Sequence, residues 1–130
     1  MTNLLTDSSF ALDPQAYLFA TVAQLPAPGA YRMLFVDDTE TTVVAPVANE
    51  PQLRIVERNP KDYRLICTRP SAPFYATGFT GAITTALGQA SVNVVVLGTY
   101  SFDYLAIRAE QLDQALAVLR QLGLREEEFK

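Results

Sequence analysis

The chain has 130 residues, enough for one compact domain or two fused small ones. Nearly half the residues are apolar and 18% are charged, which excludes a disordered chain, and the net charge of −4 argues against a nucleic-acid partner held by phosphate neutralisation. Histidine is absent and lysine occurs only at Lys61 and Lys130, so the commonest general base and zinc ligand are missing and Schiff-base chemistry has little to work with.

Cys67 has no partner for an internal disulfide and reads as a small buried hydrophobe, usage that fits a reducing cytoplasm. Residues 1–10 lack the basic flank and apolar run of a signal peptide. No apolar run approaches the roughly 20 residues needed to span a bilayer.

In chain order, residues 1–14 are polar and mixed, and read as a loose arm that is ordered only if it docks. Residues 17–22 (YLFATV) form the first predicted strand. Pro26, Pro28 and Gly29 mark a loop. Residues 31–36 (YRMLFV) are a second strand, and Asp37, Asp38 and Thr39 turn the chain into 41–45 (TTVVA). Asp37, Asp38 and Glu40 read as a solvated hairpin tip, with a metal cluster as the alternative. Residues 46–60, broken by Pro51 and Pro60, are a linker or a short element around Leu53, Ile55 and Val56. Residues 62–69 (DYRLICTR) form a strand with Tyr63, Leu65 and Cys67 on one face and Arg64, Ile66 and Thr68 on the other.

A helix is predicted over 76–90. Phe79, Ile83, Ala86, Leu87 and Ala90 share one face, and small uncharged residues, Gly81 and Gly88 among them, share the other. Two helical glycines cost about 1 kcal/mol each relative to alanine, so close backbone packing is expected to offset them. The β-branched run 92–97 (VNVVVL) predicts a strand buried on both faces. After a turn at 98–101, residues 103–108 (DYLAIR) form another strand. A second helix runs over 110–122 with Leu112, Leu116 and Leu119 inward and Gly123 as its stop. Residues 124–130 read as a solvated charged tail.

This order gives an α+β fold with a ferredoxin-like βαββαβ unit lacking its last strand. The missing edge is expected to be filled by an N-terminal strand, 17–22 being the candidate. The sheet is then antiparallel with both helices on one face. Its other face needs cover from the 31–45 hairpin or a second subunit.

The runs ATGFTGAITTAL from Ala76 and SVNVVVLGTYSFDYLAI from Ser91, followed by the helix around Ala115, resemble the ACT domain superfamily. In particular they resemble small stand-alone bacterial proteins with two fused ACT-like halves and the ACT modules of aspartate-kinase and arginine-sensor type. The resemblance implies a degenerate, strand-rich ACT-like half over 1–60 and an ACT-like domain over 61–130. It also implies a homodimer and binding of an amino acid or similar metabolite at the first strand–helix loop. On this chain that loop is Ser71, Ala72, Pro73, Thr77, Gly78 and Phe79, facing Asn93 and Thr99, Tyr100, Ser101 and Asp103.

An amino acid needs separate partners for its carboxylate and its ammonium. Backbone N–H groups at the helix start suit the carboxylate, and Gly78 allows close approach. Asp103 or carbonyls of the 99–103 turn suit the ammonium, and Thr77, Thr80 and Asn93 are candidates for orienting hydrogen bonds. Each residue has a structural alternative: turn and packing geometry for Gly78 and Gly81, a satisfied buried amide for Asn93, packing for Tyr100 and Tyr104, a turn cap for Asp103. The glycine pattern lacks the third glycine of a dinucleotide fingerprint. The reading is a non-catalytic regulatory sensor without cofactor, nucleic-acid partner or membrane partner. A ligand-free dimerisation or scaffold module is the alternative.

Overall fold

Strand formation starts well before Tyr17. The computed structural model describes residues 2–71 and 77–130. A short helix α1 (Thr2–Thr6) leads directly into a 14-residue strand β1 (Ser9–Val22). The N-terminal segment is therefore docked: Leu5, Phe10 and Ala11 are buried. Its Ser, Ala, Asp and Pro residues hide a strand that alternates correctly only when Phe10 and Leu12 are seen to share one face.

The remaining strands are β2 (Met33–Val36), β3 (Thr41–Pro46), β4 (Ile55–Arg58), β5 (Tyr63–Arg69), β6 (Val94–Gly98), β7 (Asp103–Arg108) and β8 (Arg125–Glu127). Two further helices are α2 (Phe79–Gln89) and α3 (Leu112–Gln121). Two compact units emerge, residues 1–14 with 64–130, and residues 15–63. Residues 1–14 thus share a compact unit with the C-terminal part of the chain.

In the C-terminal unit the strands run β1-β5-β7-β6, with β8 joined to β1. β8 pairs in parallel with the start of β1, Ser9 opposite Arg125 and Ala11 opposite Glu127. This corrects three expectations. The last strand of the βαββαβ unit exists after Gly123. An N-terminal strand does take the place beside β5, as expected, but it begins at Ser9, and its residues 9–11 rather than 17–22 form the join to the last strand. The charged tail is a strand in part, with Leu124 buried ahead of it. β8 was illegible because it is three residues long, and Arg125, Glu126 and Glu127 are all exposed. Its backbone pairing leaves no apolar period in the sequence.

One core fills the helix side of this sheet. Phe10, Ile66, Leu105 and Ile107 come from alternating strand positions, and Phe79, Ile83, Leu87, Ala115, Leu116 and Leu119 from the two helices. Gly123 ends α3 with φ +95°, where a Cβ would stand 2.9 Å from Thr6 Cγ2, so both the turn and the docked α1 require glycine. Cys67 is buried as expected. β6, by contrast, is not buried on both faces. It ends the strand order, and Val95 and Val96 are 38% and 40% exposed. A β-branched run suits an edge strand as well as a central one, so composition misled here. Close packing against Gly81 and Gly88 is also absent among the described residues, with nothing within 4 Å of either Cβ position.

The 15–63 unit is nearly all strand. The second half of β1 pairs with β3 on one side, Tyr17 opposite Pro46 and Thr21 opposite Thr42, and with β4 on the other. β2 and β3 form the expected hairpin. Residues 46–60 supply a 3-10 turn (Val47–Gln52) as well as β4. Leu18, Ala20, Val22, Val43 and Ala45 form its core. Arg32 spans Tyr17, donating from Nε at 3.1 Å and Nη2 at 2.7 Å to the phenol oxygen.

Truncating a fully buried aromatic leaves a cavity that its neighbours fill only partly. Phe10→Ala is expected to lose about 3–5 kcal/mol of unfolding free energy. Urea denaturation checks this, and a loss no larger than that of a surface substitution would show that the N-terminal strand is dispensable.

Candidate functional site

The turn between β6 and β7 is built by its own side chains. Thr99 N–H donates to the Phe102 carbonyl at 2.8 Å, and Phe102 N–H donates to Thr99 Oγ1 at 3.0 Å. Thr68 of β5 donates its hydroxyl to the Asp103 carbonyl at 2.8 Å, fixing the start of β7. Across from the turn, α2 begins at Gly78, whose φ of +84° favours glycine and whose position offers no side-chain cap. The first N–H groups of α2 precede the ladder that Ala82 opens by bonding the Gly78 carbonyl. Thr80, in the first turn of α2, donates its hydroxyl to Asp103 Oδ2 at 2.6 Å. That bond joins the helix start to the hairpin.

Between them lies a cleft of about 220 Å³, walled by Phe79 and Thr80, the turn 99–103 and Pro70. Tyr100 stands 82% exposed at its rim. Behind it the Arg69 guanidinium lies over the Phe102 ring, 5.5 Å from the centroid, and pairs with Glu127 at 3.3 Å.

Of the expected site residues, Phe79, Thr80, Thr99, Tyr100, Ser101 and Asp103 line this cleft together. Gly78 begins the helix but does not line it. Thr77 is exposed outside the lining. Ser71 is turned to the N-terminal segment, its N–H donating to Ser8 Oγ at 2.9 Å. Ala72 and Pro73 lie outside the described residues. Asn93 is neither a cleft residue nor a buried amide: it is exposed before β6, and its N–H donates to Gln111 Oε1 at 3.0 Å. Two lining residues were missed, Pro70 and Phe102. Phe102 was signalled by its place inside the singled-out hairpin, and Pro70 by ending β5 where the loop to α2 leaves.

Chemically, the cleft offers donors and an acceptor. Asp103 Oδ1 has no hydrogen-bond partner among the described residues, whereas Oδ2 is held by Thr80. No group of three or more His, Cys, Asp or Glu side chains gathers among the described residues.

The acidic turn at 37–40 has its own explanation. Asp37 Oδ1 accepts from the N–H groups of Thr39 and Glu40, each at 2.8 Å. Those bonds, Glu40 first and then Thr39, hold the carboxyl below its ordinary value of 3.8. A depressed folded pKa gives a stabilisation fully present above the unfolded value and lost as pH falls through the folded one. Asp37→Ala is therefore expected to lower the urea midpoint near neutral pH, with the difference from the parent closing below about pH 3.8. A difference independent of pH would contradict this account of the turn.

The order β5-α2-β6-β7-α3 is matched in sequence as well as in shape. Residues 60–121 match the family model of the ACT domain. This segment is an ACT domain. No curated protein matches the sequence. Among solved structures, a protein of unknown function from Vibrio cholerae, described as a possible transport protein, superposes with a TM-score of 0.79 at 24% identity, over 94% of both chains. A protein from Agrobacterium tumefaciens gives 0.71 at 19% identity, over 95% of this chain and 94% of that one. The regulatory subunit of aspartate kinase from Thermus thermophilus gives 0.61 at 13% identity, over 87% and 95%. At these identities the likeness concerns the fold. The ACT domain thus stands in a ferredoxin-like α+β architecture that recurs over nearly the whole chain.

Proposed function

We propose that the chain is a non-catalytic regulatory module that binds a small metabolite, an amino acid being the favoured class, in the cleft between α2 and the β6–β7 turn. The observation that carries this is the Thr80–Asp103 bond: it holds a carboxylate at the cleft with one oxygen still available, facing the start of a helix. An α-amino acid presents a cation and an anion a few atoms apart. Asp103 takes the ammonium, and the leading N–H groups of α2 take the carboxylate. The volume, below the roughly 300–1,000 Å³ usual for drug-sized ligands, suits a molecule of amino-acid size. Phe102 and Tyr100 supply apolar surface for a side chain. In this reading the 15–63 unit is a degenerate ACT-like half that has kept its strands and lost its helices.

A ligand that binds only the native state stabilises it, by about 2.7 kcal/mol at one hundred times its Kd. In a thermal-shift panel of the free amino acids, at least one is expected to raise Tm by several degrees. Asp103→Ala should abolish that response. Asp103→Asn, which keeps an acceptor for Thr80, should weaken it by removing the charge. A panel that leaves Tm unchanged throughout would overturn amino-acid binding and leave the scaffold reading.

A further inference from the structure

We propose that the free edge of β2 and the sheet face beside it dock an extended segment of another protein, one in which basic and apolar side chains alternate. This goes beyond the metabolite reading and does not depend on it, because the surface lies wholly within the 15–63 unit.

Consider the backbone first. β2 ends the strand order, and its register with β3 runs without a bulge from Met33 opposite Val44 to Val36 opposite Thr41. Asp37 N–H donates to the Glu40 carbonyl at 3.1 Å. By antiparallel alternation the backbone groups of Phe35 also face β3, and those of Leu34 and Val36 face outward. No charge, proline or bulge within Met33–Val36 blunts this edge. An incoming strand meets two N–H groups and two carbonyls, the main-chain part of strand addition.

Side chains supply the second observation. Phe35 and Val36 are 61% and 59% exposed and point to opposite faces of the sheet. On the Val36 face, Leu34 packs against the core of Leu18, Ala20 and Val43, so an apolar residue of the incoming strand extends that core. On the Phe35 face, directly opposed residues run Phe35, Thr42, Thr21, Glu57 across the strands. A groove of about 430 Å³ lies on this face, with Phe19, Thr21 and Thr42 in its lining together with Glu40 and Glu57.

Charge selects the occupant. Residues 33–53 hold four carboxylates, Asp37, Asp38, Glu40 and Glu50, and no lysine or arginine. Arg58, which also lines the groove, is engaged by Glu50 at 3.2 Å and Asp62 at 3.0 Å, so Glu40 and Glu57 set the charge there. A strand laid along β2 turns every second side chain toward that face. A lysine or arginine in such a position rests its stem on Phe35 and carries its cation toward Glu40. A carboxylate there meets like charge. Neither β2 nor β6, the strands at the two ends of the order, holds a basic residue, so a second copy does not meet this requirement through either edge.

Fluorescence anisotropy with a labelled Lys-Val-Lys-Val-Lys-Val peptide tests this. The peptide is expected to bind on the order of tenfold tighter than its block isomer Lys-Lys-Lys-Val-Val-Val or than Glu-Val-Glu-Val-Glu-Val, and to weaken as salt rises. Val36→Pro removes an outward N–H and leaves the β3 ladder in place, and should weaken binding on the order of tenfold. Glu40→Gln keeps the backbone bond that closes the turn, and should weaken binding severalfold and flatten the salt dependence. Both should leave the circular dichroism spectrum intact, and Glu40→Gln keeps the test valid if Val36→Pro fails to fold. An absent preference for the alternating peptide, or a preference that neither substitution reduces, would overturn the proposal. So would a wild-type dimer in sedimentation velocity that Val36→Pro dissociates, since a second copy would then occupy the edge.

Discussion

Phe10 is fully buried in a core that it and Leu5 share with residues of β5, β7, α2 and α3, from the second half of the chain. The usual βαββαβ unit sets its fourth strand beside its first. Here the N-terminal strand occupies that place, and the fourth strand, β8, pairs with it instead. The ACT domain therefore depends on a segment donated from outside its own stretch of sequence. Three charged residues suffice for β8 because the burial is carried by Phe10 on one side of the join and Leu124 on the other.

Ser8 concentrates this dependence. Its carbonyl accepts from Arg125 N–H at 3.1 Å at the entry to β8, and its hydroxyl donates to the Leu4 carbonyl while accepting from Ser71 N–H at 2.9 Å. One buried serine thus ties α1, β8 and the root of the loop that leads to α2. The floor of the cleft is fixed from another side, by Thr68 on the Asp103 carbonyl and Thr80 on its carboxylate. The cleft rests on polar bonds between elements of the C-terminal unit, and that unit in turn rests on the docked N-terminus.

What the sequence reveals follows from where burial is periodic. α2, α3 and β7 bury a regular stripe, and their positions were read to within a few residues. The hairpin turn announced Thr99 to Asp103, and six of the expected site residues converge on one cleft. Asn93 and Ser71 do not, because which way a residue faces at a strand entry or a loop root depends on contacts with Gln111 and Ser8 that no local pattern encodes. The start of β1 was hidden by Asp13 and Pro14 in mid-strand, and β8 by its charges. β6 shows the opposite failure: its composition is that of a buried strand, yet it stands at an edge.

Residues 9–11 fold as part of the unit that holds the ACT domain. Native-state hydrogen exchange tests it most directly, because amides of one cooperative unit open with the same free energy. Phe10 and Ala11 are expected to exchange with the protection, and the urea dependence, of Ile66 and Leu105. Exchange of residues 9–11 at the rate of an exposed loop, with β5 and β7 still fully protected, would contradict it.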